Sequence, residues 1–525
     1  AKFKNMIYKT KKFKINLLIG LLMTQIIGCE EDSSALLNEE HLYRPNLHFT
    51  PNENWMNDPN GMFHYKDKFH LFFQHNPNDN VWGPMHWGHA TSKDGISWQE
   101  HDIALYPDKN GTIYSGSAVV DHENTSGFGS KENPPIVAIF TNHSHKKPDA
   151  GQNDYETQGI AYSLDEGMTW TKYENNPVIE NPGTKDFRDP KVFWHNEQEK
   201  WILVLAVGQE VQFFASSNLK QWQKLSSFGE GIGNHKGVWE CPDLFQLPVQ
   251  GMQHKKWVLL VSINPGGPNE GSATQYFIGD FDGDRFIIDP AFADRMNNEH
   301  SFWIDFGRDN YAGVTYNNIE TEKGERLLQG WMSNWQYASK VPTSSWRSAM
   351  TLIRKISLVP DNGSYNLVTS PYIPSKKTSK KTIQNQKITN TSTTLISDKE
   401  VPLSATQINI EWEGEEFEFL LSNALENKLK IGFHKAENTF YIDRREAGKT
   451  DFSKKFATTP SVAPRKVKIS EINLTMILDK TSVELFYDNG LSVITEIFFL
   501  EAPFEEFSIV GDGILKQMEA YSLKE

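Results

Sequence analysis

Three acids in this chain sit in a similar setting. Asp58 lies in "WMNDPNG" (55–61), Asp189 in "KDFRDPKVFWH" (185–195) and Glu240 in "GVWECPDLFQL" (237–247). Each has an aromatic residue within three positions and a proline one or two positions further on, and each runs into an apolar stretch. Proline stiffens the backbone and biases the residue before it towards extended geometry, so Asp58 and Asp189 are expected at the beginning of strands. Taken locally, "WMNDPNG" is rich in turn formers and Asn60-Gly61 is a hairpin signal, so a turn that also presents Asp58 is expected. Carboxylates acting together suit glycosyl transfer through an oxocarbenium-like transition state. One attacks as an ionised nucleophile while another stays protonated to serve as acid and then base. Arg188, next to Asp189, can hold a neighbouring carboxylate ionised or bind sugar hydroxyls.

The elements that must position these acids are strands. Short apolar segments such as "KFHLFFQHNP", "KWILVLAV", "KWVLLVSINP" and "TSVELFYDNG" are bounded by Gly, Pro, Asn and Asp, and no long helical period follows residue 44. A degenerate repeat recurs in "SKDGISWQE" (92–100), "SLDEGMTWTK" (163–172) and "SSNLKQWQK" (216–224). Each copy has Ser, a turn residue and then Trp after an apolar strand, which fits successive four-stranded propeller blades. The innermost strands of a propeller line a central channel, where acids distant in sequence can meet. After about residue 371 the texture becomes Ser/Thr/Lys-rich, followed by strands such as "INIEWEGEEFEFLLSN" that suggest a β-sandwich of about 150 residues. The expected architecture is all-β, with a β-propeller at 44–371 and a C-terminal β-sandwich at 372–525.

Composition narrows the function classes. A formal net charge of −14 argues against a nucleic-acid partner, and 15 Trp and 17 Tyr are compatible with sugar-stacking surfaces. The two cysteines need separate explanations. Six lysines precede the apolar run "INLLIGLLMTQIIGC", which ends in Gly28-Cys29. This resembles a bacterial lipobox, so 1–29 is expected to be a lipoprotein signal, Cys29 the lipidated residue and 30–43 a tether. The acidic "CEEDSS" resembles the surface-export signal of some Gram-negative lipoproteins. An outer-membrane or cell-surface lipoprotein is therefore expected, and otherwise a periplasmic or secreted protein. "DFDGD" (280–284) begins like a calcium loop but has Arg285 at position six and Ala291 at position twelve, so the pattern fails. His70, His75, His86 and His89 are expected to be structural.

Taken together, "WMNDPNG", "FRDP", "WEC", "FFQHNPNDNVWGPMHWGHATS", "YSGSAVVD" and "GWMSNWQYASKVPTSSWRSAMTL" resemble the motifs of glycoside hydrolase family 32, the β-fructofuranosidases, in family order. That resemblance covers about residues 44–525 and implies a five-bladed β-propeller carrying the active site, followed by the C-terminal β-sandwich. It implies Asp58 as nucleophile, Glu240 as acid/base and Asp189 as transition-state stabiliser, with retention through a covalent fructosyl-enzyme. It places Trp55, Asn57, Gln74, Trp82, Tyr114, Ser115, Arg188, Cys241 and Trp335 at the fructose pocket. It implies a fructan or sucrose substrate, no metal and no organic cofactor. The chain departs from many members at "MTLIR", where Ile353 replaces a proline. Within the family, "SGSAVVDHENTSGFG" and "WECPDLFQLPV" look most like exo-levanases and exo-inulinases. An endo-levanase, a fructosyltransferase and a non-catalytic fructan-binding protein are the alternatives.

Overall fold

The strands follow from the apolar runs. Lys200–Val207 reads KWILVLAV and is buried almost throughout, as a strand covered on both faces must be. Trp98–Leu105, at the rim of its sheet, is exposed or half-buried at every position but Leu105. The computed structural model describes residues 38–299, 302–374 and 379–524. The expected signal with Cys29, and the tether up to residue 37, lie outside the described residues.

Five antiparallel sheets follow one another along the chain. Their innermost strands are Asn54–Tyr65, Thr112–Val120, Phe187–His195, Val238–Pro248 and Tyr311–Thr315. Each innermost strand contacts the next, and the fifth contacts the first, which closes a five-bladed ring. Backbone hydrogen bonds seal the closure: Asn317 N donates to Met62 O at 3.0 Å and His64 N to Asn317 O at 2.9 Å. Trp346–Arg347 adds a parallel strand beside Asn54 and Trp55.

The Ser–Trp repeat builds the same turn in three blades. Ser92, Ser163 and Ser216 accept backbone N–H bonds through their hydroxyls from Gly95, Gly167 and Leu219. The indoles of Trp98, Trp170 and Trp222 donate to the carbonyls of those same three residues. "DFDGD" is the corresponding turn of the fourth blade, where Asp282 accepts the N–H groups of Asp284 and Arg285 while Asp280 and Asp284 pair with Lys256 and Lys200. His70 and His89 stack between Phe63 and Phe72 inside the first blade, a structural setting.

Two expectations are corrected. "WMNDPNG" is not a hairpin turn but part of the twelve-residue strand Asn54–Tyr65. Gly61 is needed there for packing and conformation: its φ is 55°, and a Cβ would lie 2.6 Å from Trp87 Cζ3. Asp189 is not extended either, because its φ of 67° is left-handed. A ten-residue helix, Pro290–Glu299, also stands between the fourth and fifth blades.

The C-terminal sandwich is a single ten-stranded hydrogen-bonded sheet folded over itself. Two long strands, Ala405–Ser422 and Glu506–Ser522, pair with each other along most of their length. The first half of Ala405–Ser422 pairs with Glu471–Asp479 and its second half with Lys428–His434, so both layers share it. The crossover falls at Gly414, Gly511 and Gly513. There the strands pack so closely that a Cβ on Gly513 would meet Trp412 at 2.5 Å. One apolar core runs from the third and fourth blades through the fifth into the sandwich, so the two domains are packed together.

Candidate active site

All five innermost strands break register near their beginning, and in the same way. Residue pairs 57–58, 114–115, 189–190, 241–242 and 312–313 each oppose a single residue of the neighbouring strand. Such a bulge bends the strand and re-aims side chains. Five bulges at one level of the ring place Asp58, Ser115, Asp189 and Cys241 at one end of the channel. Pro190 and Pro242 sit in these bulges and Pro59 directly follows one, positions where a residue without N–H costs the ladder little. Asp189, Cys241 and Ala312 have φ of 67°, 46° and 55°. A left-handed non-glycine residue costs about 1–3 kcal/mol, and such strain clusters where function needs a particular direction.

The acids surround a cavity of about 320 Å³. Asp58 accepts hydrogen bonds from Ser115 Oγ (2.7 Å to Oδ2) and Asn57 Nδ2 (3.1 Å to Oδ1). Asn57 is itself held by Trp55 Nε1 at 2.8 Å. Asp189 accepts the Cys241 N–H at 3.0 Å. Cys241 Sγ lies 3.4 Å from Asp58 Oδ2 and 3.5 Å from Asp189 Oδ2, placing its thiol between the two carboxylates. Glu240 takes Arg188 Nη2 at 3.1 Å and the phenol of Tyr311. Arg188 also donates to Asp186 at 2.6 Å and Glu156 at 3.3 Å.

Negative charge is in excess here. Asp58, Glu156, Asp186, Asp189 and Glu240 gather around Arg188. Burial, then the charge of Glu240, raises the Asp58 pKa above the usual carboxylate range, against the hydrogen bonds of Ser115, Asn57 and Cys241. Asp189 is raised by burial and by Glu240 and Asp58, although Arg188 pulls the other way. Burial and the three nearby carboxylates keep Cys241 a thiol, and Tyr311 stays a phenol through burial and Glu240. A cavity of this charge favours a ligand that becomes positive as it reacts.

Of the residues expected from the sequence, Asn57, Asp58, Gln74, Trp82, Tyr114, Ser115, Arg188, Asp189, Glu240 and Trp335 line the cavity. Trp55 and Cys241 lie beneath it: Trp55 is fully buried and stacks under Trp335 with centroids 5.9 Å apart. Sequence reading missed His143, Tyr155, Glu156 and Asp186 in the wall, and Tyr311 on Glu240. Only Asp186 had a nearby signal, two positions before Arg188.

Two family models match the chain. The model for the glycosyl hydrolases family 32 N-terminal domain matches residues 48–371, and that for the family 32 C terminal matches 373–522. A levanase from Bacillus subtilis (strain 168) is 41% identical over 531 residues, covering 98% of this chain and 75% of that protein. The extracellular exo-inulinase inuE of Aspergillus niger is 38% identical over 497 residues, covering 88% of this chain and 90% of its own. The structure of fructofuranosidase from Schwanniomyces occidentalis complexed with fructose superimposes with a TM-score of 0.80 at 36% identity, covering 92% of this chain and 98% of that one.

Proposed function

The chain belongs to glycosyl hydrolases family 32, and from that premise we propose that it is an exo-acting β-fructosidase releasing terminal fructose from levan or inulin, and from sucrose. The observation that carries this reading is the convergence of Asp58, Asp189 and Glu240 from the first, third and fourth blades on one cavity. A volume of about 320 Å³ lies at the small end of ligand pockets and suits one terminal sugar better than a threaded chain.

In this reading Asp58 attacks the anomeric carbon of the terminal fructosyl unit. Ser115, Asn57 and Cys241 favour its ionised form against burial. Glu240 protonates the departing glycosidic oxygen and, once the leaving sugar has gone, takes a proton from the water that hydrolyses the fructosyl-enzyme. Asp189 grips ring hydroxyls and balances the oxocarbenium-like charge. Arg188 and Tyr311 orient Glu240. Two displacements at one carbon retain its configuration. Catalysis is assigned to residues 44–371, and 372–525 buttress the propeller.

An early-time product profile on levan, inulin and sucrose tests this, with Asp58→Asn as the blank. Fructose alone from the first time points is expected; an oligosaccharide ladder would replace the exo reading with an endo one. We further propose that Cys29 carries a lipid that tethers the enzyme to a bacterial cell surface, supported by the lysine-rich start, the apolar run and Gly28-Cys29. Labelling with a fatty-acid analogue should mark the wild type and not Cys29→Ala, and a labelled variant would refute the anchor.

A further inference from the structure

We propose that the far mouth of the propeller channel is a second carbohydrate site, which holds a fructan chain away from the reacting end. The identity of the occupant rests on the function proposed above. The strands that start at the active site end at this opposite face: Asp189 leads to Phe193 and Trp194, and Glu240 leads to Phe245 and Gln246. At about 3.3 Å per residue, the two mouths stand roughly 15–20 Å apart. Between them the channel is blocked. Lys191 reaches the Thr315 carbonyl and Asp243, and Asn317 Nδ2 donates to Ala118 O at 2.8 Å and Val192 O at 3.1 Å. The far cavity, about 630 Å³, is therefore separate from the active site.

Its lining has the chemistry of a sugar surface. Phe193, Trp194 and Trp257 are partly exposed in its wall. Buried neighbours hold them rigid: His195 stacks on Trp257 (5.7 Å, 1°), and Trp201 meets Trp194 edge-on at 5.0 Å. Neither the Trp194 nor the Trp257 indole N–H is bonded to another described residue, and the side chains of Gln246 and Glu320 have no hydrogen-bond partner among the described residues. Arg326 bonds Tyr316 O at 3.2 Å, yet its buried Nε has no partner. Flat rings that can take the C–H face of a sugar thus stand beside an amide, a carboxylate and a guanidinium able to meet its hydroxyls. The active-site cavity combines the same types in Trp82, Trp335, Gln74, Asp189 and Arg188. An apolar ligand would leave these polar groups unmet, and the acidic chain disfavours a polyanion.

Such a site acts on polymer and not on small substrate. Affinity electrophoresis of the full chain in gels containing levan or inulin tests it, with saturating free fructose present to fill the active site. The wild type should remain retarded under fructose. Trp194→Ala/Trp257→Ala should bind polymer about tenfold more weakly, the loss expected for two stacking rings, while hydrolysing sucrose at the wild-type rate. Retardation abolished by fructose in the wild type, or unchanged in the double variant, would overturn the proposal. Should the double variant misfold, seen as lost sucrose turnover, Gln246→Ala/Glu320→Ala must show the same selective loss of retention, and unchanged retention there refutes the site. Failure of the functional reading looks different: no fructoside is hydrolysed, whatever the retention.

Discussion

Two charge clusters in this molecule, one fully buried and one lining a cavity, have opposite designs. At the domain interface, His48 bridges Asp479 (2.7 Å) and Glu484 (2.6 Å), and Arg354 bridges Glu484 (2.6 Å) and Asp305 (2.8 Å). Every carboxylate there faces a cation. At the active-site mouth, five carboxylates line one cavity with Arg188, which pairs with only three of them, Glu156, Asp186 and Glu240. The pKa directions follow the difference. Burial works against charge in both places, but at the interface Arg354 and His48 overcome it and pull Glu484 down to about 2. In the channel, like charges add to burial and raise Asp58 and Asp189. Loss of hydration opposes charge in both clusters, so charge balance, together with the opening to a cavity, distinguishes a structural network from a site poised to react.

Removing one member of each cluster should separate these roles. Glu240→Gln should slow hydrolysis of levan or inulin by about 10³- to 10⁴-fold, yet have much less effect on a fructoside with an activated leaving group, which needs no proton. Steady-state rates on both substrates check this, and equal losses would remove Glu240 from the acid role. Arg354→Met should leave turnover per folded molecule intact but cost about 3–5 kcal/mol of stability, because Glu484 and Asp305 are left buried without their cation. Denaturant unfolding measures that cost.

The interface should also be sensitive to alkali. His48 holds its proton up to about 9 in the fold, against 6.5 for an ordinary histidine: burial opposes the charge, but Asp479 and Glu484 outweigh it. The resulting stabilisation, about 3 kcal/mol, is complete below pH 6.5 and is lost as pH rises through about 9. A melting series across that window should show a fall that His48→Gln flattens. The smallest effect belongs to Ser115→Ala. It deletes a donor to ionised Asp58, so the acid limb of the kcat/KM profile should move to higher pH. A shift to lower pH would contradict the assignment.

The contrast between the clusters also explains what the sequence disclosed. The three acids were legible because each carries its own aromatic and proline. The blades were legible because Ser92, Ser163 and Ser216 repeat one turn. The bulges were not, although Pro190 and Pro242 sit in them, because a proline directly after an acid, as at Asp189, points equally well to a strand start. Asn60-Gly61 misled because hairpin chemistry is judged locally, while the need for Gly61 comes from Trp87, 26 positions away. Glu156, His143 and Tyr311 reach the site as single residues without a motif. The interface network was invisible for the same reason: His48 lies 431 positions from Asp479, and nothing local in either segment announces the pair.

Turnover and thermal stability of Asp58→Asn, measured side by side, separate a catalytic from a structural role for the channel acids. If the channel acids are kept unbalanced for catalysis, fructan hydrolysis should fall by at least about 10⁴-fold, while Tm stays level or rises as one buried like charge is removed. Appreciable turnover, or a loss of stability like that of Arg354→Met, would place Asp58 among the structural carboxylates and contradict the account.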